Sequence, residues 1–72
     1  MEAFKRGDRV IVVLDEQCAR KSPHLVAGDQ LVATVTARMK AAKVPSYRVS
    51  IDAFHPFLEI QIPDELVIGR AS

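Results

Sequence analysis

The stretch Ser46-Tyr47-Arg48-Val49-Ser50-Ile51-Asp52-Ala53 decides the fold, because apolar and polar residues alternate along it without a break. A period of two puts successive side chains on opposite faces of a strand, whereas a helix needs a period near 3.6. Tyr47, Val49, Ile51 and Ala53 therefore face a core, and Ser46, Arg48, Ser50 and Asp52 face outward. Phe54-His55-Pro56 reads as a turn, after which Phe57–Ile62 forms the next strand with Leu58, Ile60 and Ile62 inward. Pro63 ends that strand, since proline has no N–H to donate to a ladder. Asp64-Glu65-Leu66 reads as a short 3₁₀ turn leading into a last strand at Val67-Ile68.

Upstream, Gln30–Met39 alternates as well, with Leu31, Ala33, Val35, Ala37 and Met39 inward and Val32, Thr34, Thr36 and Arg38 outward. Its β-branched residues suit a pleated, half-buried surface. The helix formers from Ala37 to Lys43 make a helical turn the local competitor, and Val44-Pro45 ends it. Arg9–Leu14 follows the turn-forming pair Gly7-Asp8. Val10, Val12 and Leu14 share one face and Ile11 and Val13 the other, so both faces are apolar and both need cover. Residues 15–29 read as a long loop, punctuated by Ser22-Pro23 and Gly28-Asp29.

These elements make an all-β fold of about five short strands in a single domain spanning 1–72, with 70–72 as a fraying tail. A closed or nearly closed barrel is expected, because closure removes the unpaired edges of a small sheet. A chain of 72 residues buries only roughly 60% of its unfolded surface. One core must then supply a net stability of about 3–5 kcal/mol.

With one cysteine, Cys18, the chain can form no internal disulfide, which points to a reducing compartment. Met1–Arg6 leads into no apolar run of the signal-peptide kind, and no stretch approaches the roughly 20 apolar residues that span a bilayer. A cytoplasmic protein without membrane contact is the expectation. The net charge of +1 selects no partner, but its distribution is uneven. From Gln30 to Ile51 there is no acid, while Arg38, Lys40, Lys43 and Arg48 are basic; from Val49 to Gly69 there is no Lys or Arg, while Asp52, Glu59, Asp64 and Glu65 are acidic.

The order of features resembles the SH3-like barrels, a superfamily that includes small bacterial and phage modules of KOW type. Phe4-Lys5-Arg6-Gly7-Asp8-Arg9-Val10-Ile11-Val12-Val13 is similar to their opening "GD-x-V-x-V", and Ala33-Thr34-Val35-Thr36-Ala37-Arg38 stands where they carry a second strand. Tyr47-Arg48-Val49-Ser50-Ile51-Asp52 is similar to the third, and Ile62-Pro63-Asp64-Glu65-Leu66-Val67-Ile68 to the closing 3₁₀ turn and strand. The chain departs from the pattern in its long loop after the first strand and in a glycine, Gly28, that only loosely matches the one before the second. The resemblance implies nucleic-acid binding, peptide binding or subunit packing, since this fold hosts all three.

Catalysis and cofactors find little support in these residues. Cys18, His24 and His55 lack the paired close spacings of a zinc site, and nothing beside Cys18 and His24 marks an oxyanion hole or an orienting third group. Asp64 and Glu65 read as cappers of their turn, and three glycines make no phosphate-cradling loop. No small-molecule substrate is indicated.

Two surface readings remain. Ile11, Val13, Val32, Phe54 and Phe57 lie opposite the inferred core, so either the 15–29 loop covers them or a protein partner or second copy does. The leading expectation is therefore a non-catalytic binding or assembly module, with Ile11, Val13, Phe54 and Phe57 as the apolar centre of an interface and a charged rim. The alternative is a nucleic-acid-binding module that sets Arg38, Lys40, Lys43 and Arg48 on phosphates. Tyr47, inward by alternation, offers no stacking platform.

Overall fold

The computed structural model describes residues 4–39 and 44–71. Five antiparallel strands form one sheet: β1 (Arg9–Val13), β2 (Gln30–Met39), β3 (Ser46–Ile51), β4 (Glu59–Pro63) and β5 (Val67–Arg70). Consecutive strands pair from β1 to β4, and β5 returns to pair with β1, so the spatial order is β4-β3-β2-β1-β5. The Gly7 turn starts the meander. Lys5 O accepts from Asp8 N, the Asp8 carboxylate accepts from Lys5 N, and Gly7 holds φ at +93° between them. That positive φ is the conformation a glycine adopts without steric cost.

Alternation places the core. Val10, Val12 and Leu14, Ala33 and Val35, Tyr47, Val49 and Ile51, and Ile60 and Ile62 are all buried on one face. Cys18 and Leu25 join them from the connection after β1. That connection is not all loop. A short helix α1 (Glu16–Ala19) forms in it because the Asp15 side chain caps the first turn by accepting from Cys18 N. Burial of Cys18 and Leu25 folds the connection over the inner face, leaving Ile11, Val13 and Val32 half-buried on the outer one.

The sheet is not closed into a barrel. β4 and β5 stand at its two ends and pair only inward, with β3 and β1. The edges are managed by other means. Lys21 Nζ donates to Gln61 O on the outer side of β4, while β5 is four residues long, bulged opposite Ile11 and Val12, and ends at Arg70.

Three alternations change in the folded chain. A bulge at Thr36, between Val35 and Ala37, shifts the β2–β3 register, so Ala37 pairs with Arg48, Arg38 with Tyr47 and Met39 with Ser46. One extra residue flips every side chain beyond it. Ala37 and Met39, expected inward, stand on the outer face, and Arg38 turns to the Tyr47 side. Secondly, Ser46 and Ser50 are buried although they face outward, each satisfied by a neighbour: Gln61 Nε2 donates to Ser46 Oγ at 2.8 Å, and Ser50 Oγ shares a 2.8 Å hydrogen bond with His55 Nδ1. Thirdly, β3 stops at Ile51. Asp52–Phe54 forms a 3₁₀ turn, which exposes Ala53 and carries Phe57 into the following turn rather than into β4. The expected 3₁₀ turn at Asp64–Leu66 is present, and β5 runs on from it to Arg70.

Candidate protein-binding surface

The β3–β4 connection is built as a rigid projection. Ile51 N donates to Leu58 O across its base, His55 N to Asp52 O, and Phe57 N to Phe54 O at 2.8 Å. Asp52 is fixed from the sheet, because its carboxylate accepts from the Arg9 guanidinium at 2.7 Å and from Thr34 Oγ1 at 3.0 Å. Opposite it stands the loop after α1. Leu25 pins that loop in the core, Ser22 Oγ accepts from His24 N, and the His24 ring lies 5.5 Å from the Phe54 ring, centroid to centroid.

Between these two segments opens a pocket of about 460 Å³, lined by Ser22, His24, Ala53, Phe54, His55, Phe57 and Leu58. Phe54 and Leu58 form its floor where they pack against the core cluster. Phe57 stands at its rim and is 92% exposed, the most uncovered large apolar residue among those described. Burying such a ring contributes about 1.5–3 kcal/mol, so a partner that covers Phe57 gains that much.

Sequence patterning proposed Ile11, Val13, Phe54 and Phe57 as one interface. The structure brings Phe54 and Phe57 together at this pocket. It places Ile11 and Val13 elsewhere, half-buried on the outer face of β1 beside Val32. Phe54 is also not a residue of the outer face, because it rests against the core. His24 and Leu58 were not legible as neighbours of Phe54, since only the packing of the 15–29 connection juxtaposes them.

Four of the described arginines are paired with acids. Arg38 Nη2 lies 3.2 Å from the Asp64 carboxylate, with its guanidinium over the Tyr47 ring. Arg48 Nε lies 2.6 Å from Glu59. Arg9 pairs with Asp52 and Arg70 with Asp8, the latter at 3.5 Å. Two residues of the basic middle, Arg38 and Arg48, are thus paired across the sheet with Asp64 and Glu59 of the acidic end. Lys40 and Lys43 lie outside the described residues.

A second, more polar pocket of about 360 Å³ lies between α1 and β4, with Asp15, Cys18, Lys21 and Gln61 among its walls. The hydrogen bond from Cys18 N pulls the Asp15 carboxyl below its ordinary range, and burial pushes the Cys18 thiol up. Such a thiol is held in its unreactive protonated form. His24 serves Phe54 instead of Cys18. Among the described residues no group of three or more His, Cys, Asp or Glu is placed to hold a metal ion, and no helix is long and apolar enough to cross a membrane.

No protein family, curated protein or solved structure matches the chain.

Proposed function

We propose that this chain is a small non-catalytic binding or assembly module, which engages another protein through the pocket between the β3–β4 turn and the loop after α1. The observation that carries this reading is the 92% exposure of Phe57 at the rim of a pocket floored by Phe54 and Leu58. An aromatic anchor beside an apolar hollow is the usual centre of a protein interface. Ile11, Val13 and Val32 form a second apolar area on the outer face, available to a larger assembly. The finer fold reading, an SH3-like module, is supported by the strand order with β5 returning to β1 and by the 3₁₀ turn that introduces β5.

Selection of peptides from a displayed random library against the wild-type protein, with Phe57→Asp as the counter-selection, tests the reading. Phe57 touches water on nearly all sides, so the substitution leaves the fold intact. A recurring apolar motif that binds wild type and not the variant is the expected result. Enrichment that ignores Phe57, or no enrichment, would sink the assignment of this pocket.

A further inference from the structure

The pocket beside Phe57 carries ionisable groups of one kind only. Its lining contains no Lys, Arg, Asp or Glu, and the groups in it that can take up a charge are the imidazoles of His24 and His55. Imidazole is the side chain that ordinarily changes charge between about pH 5 and 8. The lining is therefore neutral at the upper end of that range and cationic at the lower end.

Both rings are placed to carry that charge. His55 is anchored at one nitrogen, because its Nδ1 shares a 2.8 Å hydrogen bond with Oγ of Ser50, a buried residue of β3. A serine hydroxyl donates to a neutral imidazole and accepts from a protonated one. The ring thus keeps its place in either state, and Nε2 is left for a ligand. The His24 ring lies 5.5 Å from the Phe54 ring, inside the roughly 6 Å over which an aromatic face attracts a cation. The charged groups of the neighbouring elements are engaged elsewhere. Asp52 is held by Arg9 and Thr34, and Glu59 by Arg48. On the His24 side, Lys21 donates to Gln61 O, while Arg20 and Asp29 stand outside the lining.

Resting on the reading of Phe57 as an interface anchor, we propose that the partner segment carries a carboxylate beside its apolar anchor, and that His24 and His55 receive it. A segment that is apolar throughout would cover both imidazoles without pairing them, which costs free energy. A phosphate group calls for arginines that grip two of its oxygens at once, and the lining has none. A single carboxylate, from an acidic side chain or a chain terminus, matches imidazole donors and meets no acid in the lining to repel it. Since the carboxylate favours the protonated rings, binding draws protons from solution and tightens as pH falls. The gain ends where the carboxylate itself takes up a proton, near about pH 4.

Three probes test it: N-acetylphenylalanine, whose carboxylate is terminal; a dipeptide of phenylalanine and glutamate blocked at both ends, whose carboxylate is on a side chain; and N-acetylphenylalaninamide, which has none. Each is titrated into ¹⁵N-labelled protein at about pH 8 and about pH 5.5, on either side of imidazole protonation, and followed by amide chemical shifts. A carboxylate probe should bind about two- to fivefold more tightly at the lower pH, the worth of an exposed ion pair, and the amide should not. Whichever carboxylate probe responds more strongly identifies the source of the group. The double variant His24→Gln, His55→Asn should flatten the response, since asparagine keeps a polar atom for Ser50 without titrating. Equal affinity for acid and amide, a response that the double variant retains, or no binding by any probe overturns the proposal. Peptides selected through Phe57 that bind alike at both pH values remove the carboxylate while the binding-module reading stands.

Discussion

The Arg38 guanidinium carbon lies 4.8 Å above the centre of the Tyr47 ring, on the core side of a sheet where strict alternation would put the arginine in water. The bulge at Thr36 makes this possible by shifting Arg38 opposite Tyr47. Behind the ring, Phe4 packs edge-on at 5.9 Å and its N–H donates to the Tyr47 hydroxyl. Arg38 thus closes one end of the core with its stem and its planar head.

Packing, more than charge, should dominate at this position. The Arg38–Asp64 pair is partly exposed, so it contributes about 0–1 kcal/mol, and Arg38 Nη1 and Asp64 Oδ1 are buried with no hydrogen-bond partner in the protein. Arg38→Met, which keeps a long stem over Tyr47, should lower the urea midpoint less than Arg38→Ala. Equal losses in the two variants would assign the effect to the ion pair.

Ile62 is fully buried and pairs with Tyr47 across β3 and β4. Ile62→Val should cost about 0.5–1.5 kcal/mol and Ile62→Ala about 2–5 kcal/mol. The second figure matches the whole stability of about 3–5 kcal/mol expected of so small a core. Circular dichroism should therefore show a cooperative melt for the valine variant and a largely unfolded alanine variant at room temperature. An alanine variant that melts like wild type would contradict the packing described.

The Asp15 cap predicts an acid-dependent helix. Its carboxyl is depressed in the folded chain, chiefly by the hydrogen bond from Cys18 N. A depressed native value stabilises the fold above the unfolded pKa, and that contribution is lost as pH falls through the native one. Asp15→Asn keeps an accepting oxygen at the cap but cannot titrate. Between about pH 6 and pH 3, which brackets ordinary carboxylate titration, urea midpoints should fall further for wild type than for Asp15→Asn. Parallel falls would show that Asp15 is not the titrating cap.

Cys18 is 3% exposed and its thiol is pushed up by burial. Iodoacetamide at about pH 8, near the ordinary thiol pKa, should label the folded protein far more slowly than the same protein in urea. Labelling at the unfolded rate would mean that the connection carrying α1 opens freely.

The ion pairs make a prediction about nucleic acid. With Arg38 and Arg48 held by Asp64 and Glu59, fluorescence anisotropy with DNA and RNA oligomers should show no salt-sensitive binding between about 50 and 200 mM salt. Tight binding at the lower salt that weakens uniformly in a Lys40→Glu, Lys43→Glu variant would instead place phosphates on the β2–β3 hairpin.

Much of the strand layout is readable from alternation. The bounds of β2 at Gln30 and Met39 and the 3₁₀ turn at Asp64–Leu66 follow from residue order alone, as do the inward sets of β1 and β3 from Val10 to Leu14 and Tyr47 to Ile51. What alternation misses comes from contacts between distant segments. The Thr36 bulge leaves no mark in a run of ten residues that alternates throughout, because the signal for it lies in pairing with β3. α1 hides in polar residues, where one aspartate cap and one buried cysteine suffice to wind a turn. Phe54 and Phe57 stand out as surplus apolar residues, but their neighbour His24 is 30 positions away from Phe54 and meets it only through packing.

The sequence by itself determined that the chain is β, roughly where its strands run, and the inward residues of β1 and β3 from Val10 to Leu14 and Tyr47 to Ile51, because burial follows a period that local residue order carries. Only the tertiary structure decided that the sheet stays open, that Arg38 and Arg48 meet Asp64 and Glu59, and that Phe57 stands uncovered at the rim of the pocket Phe54 lines. Those outcomes depend on register and on which loop reaches which edge. A register is the sum of many cross-strand contacts, and one extra residue, Thr36, resets it for everything beyond.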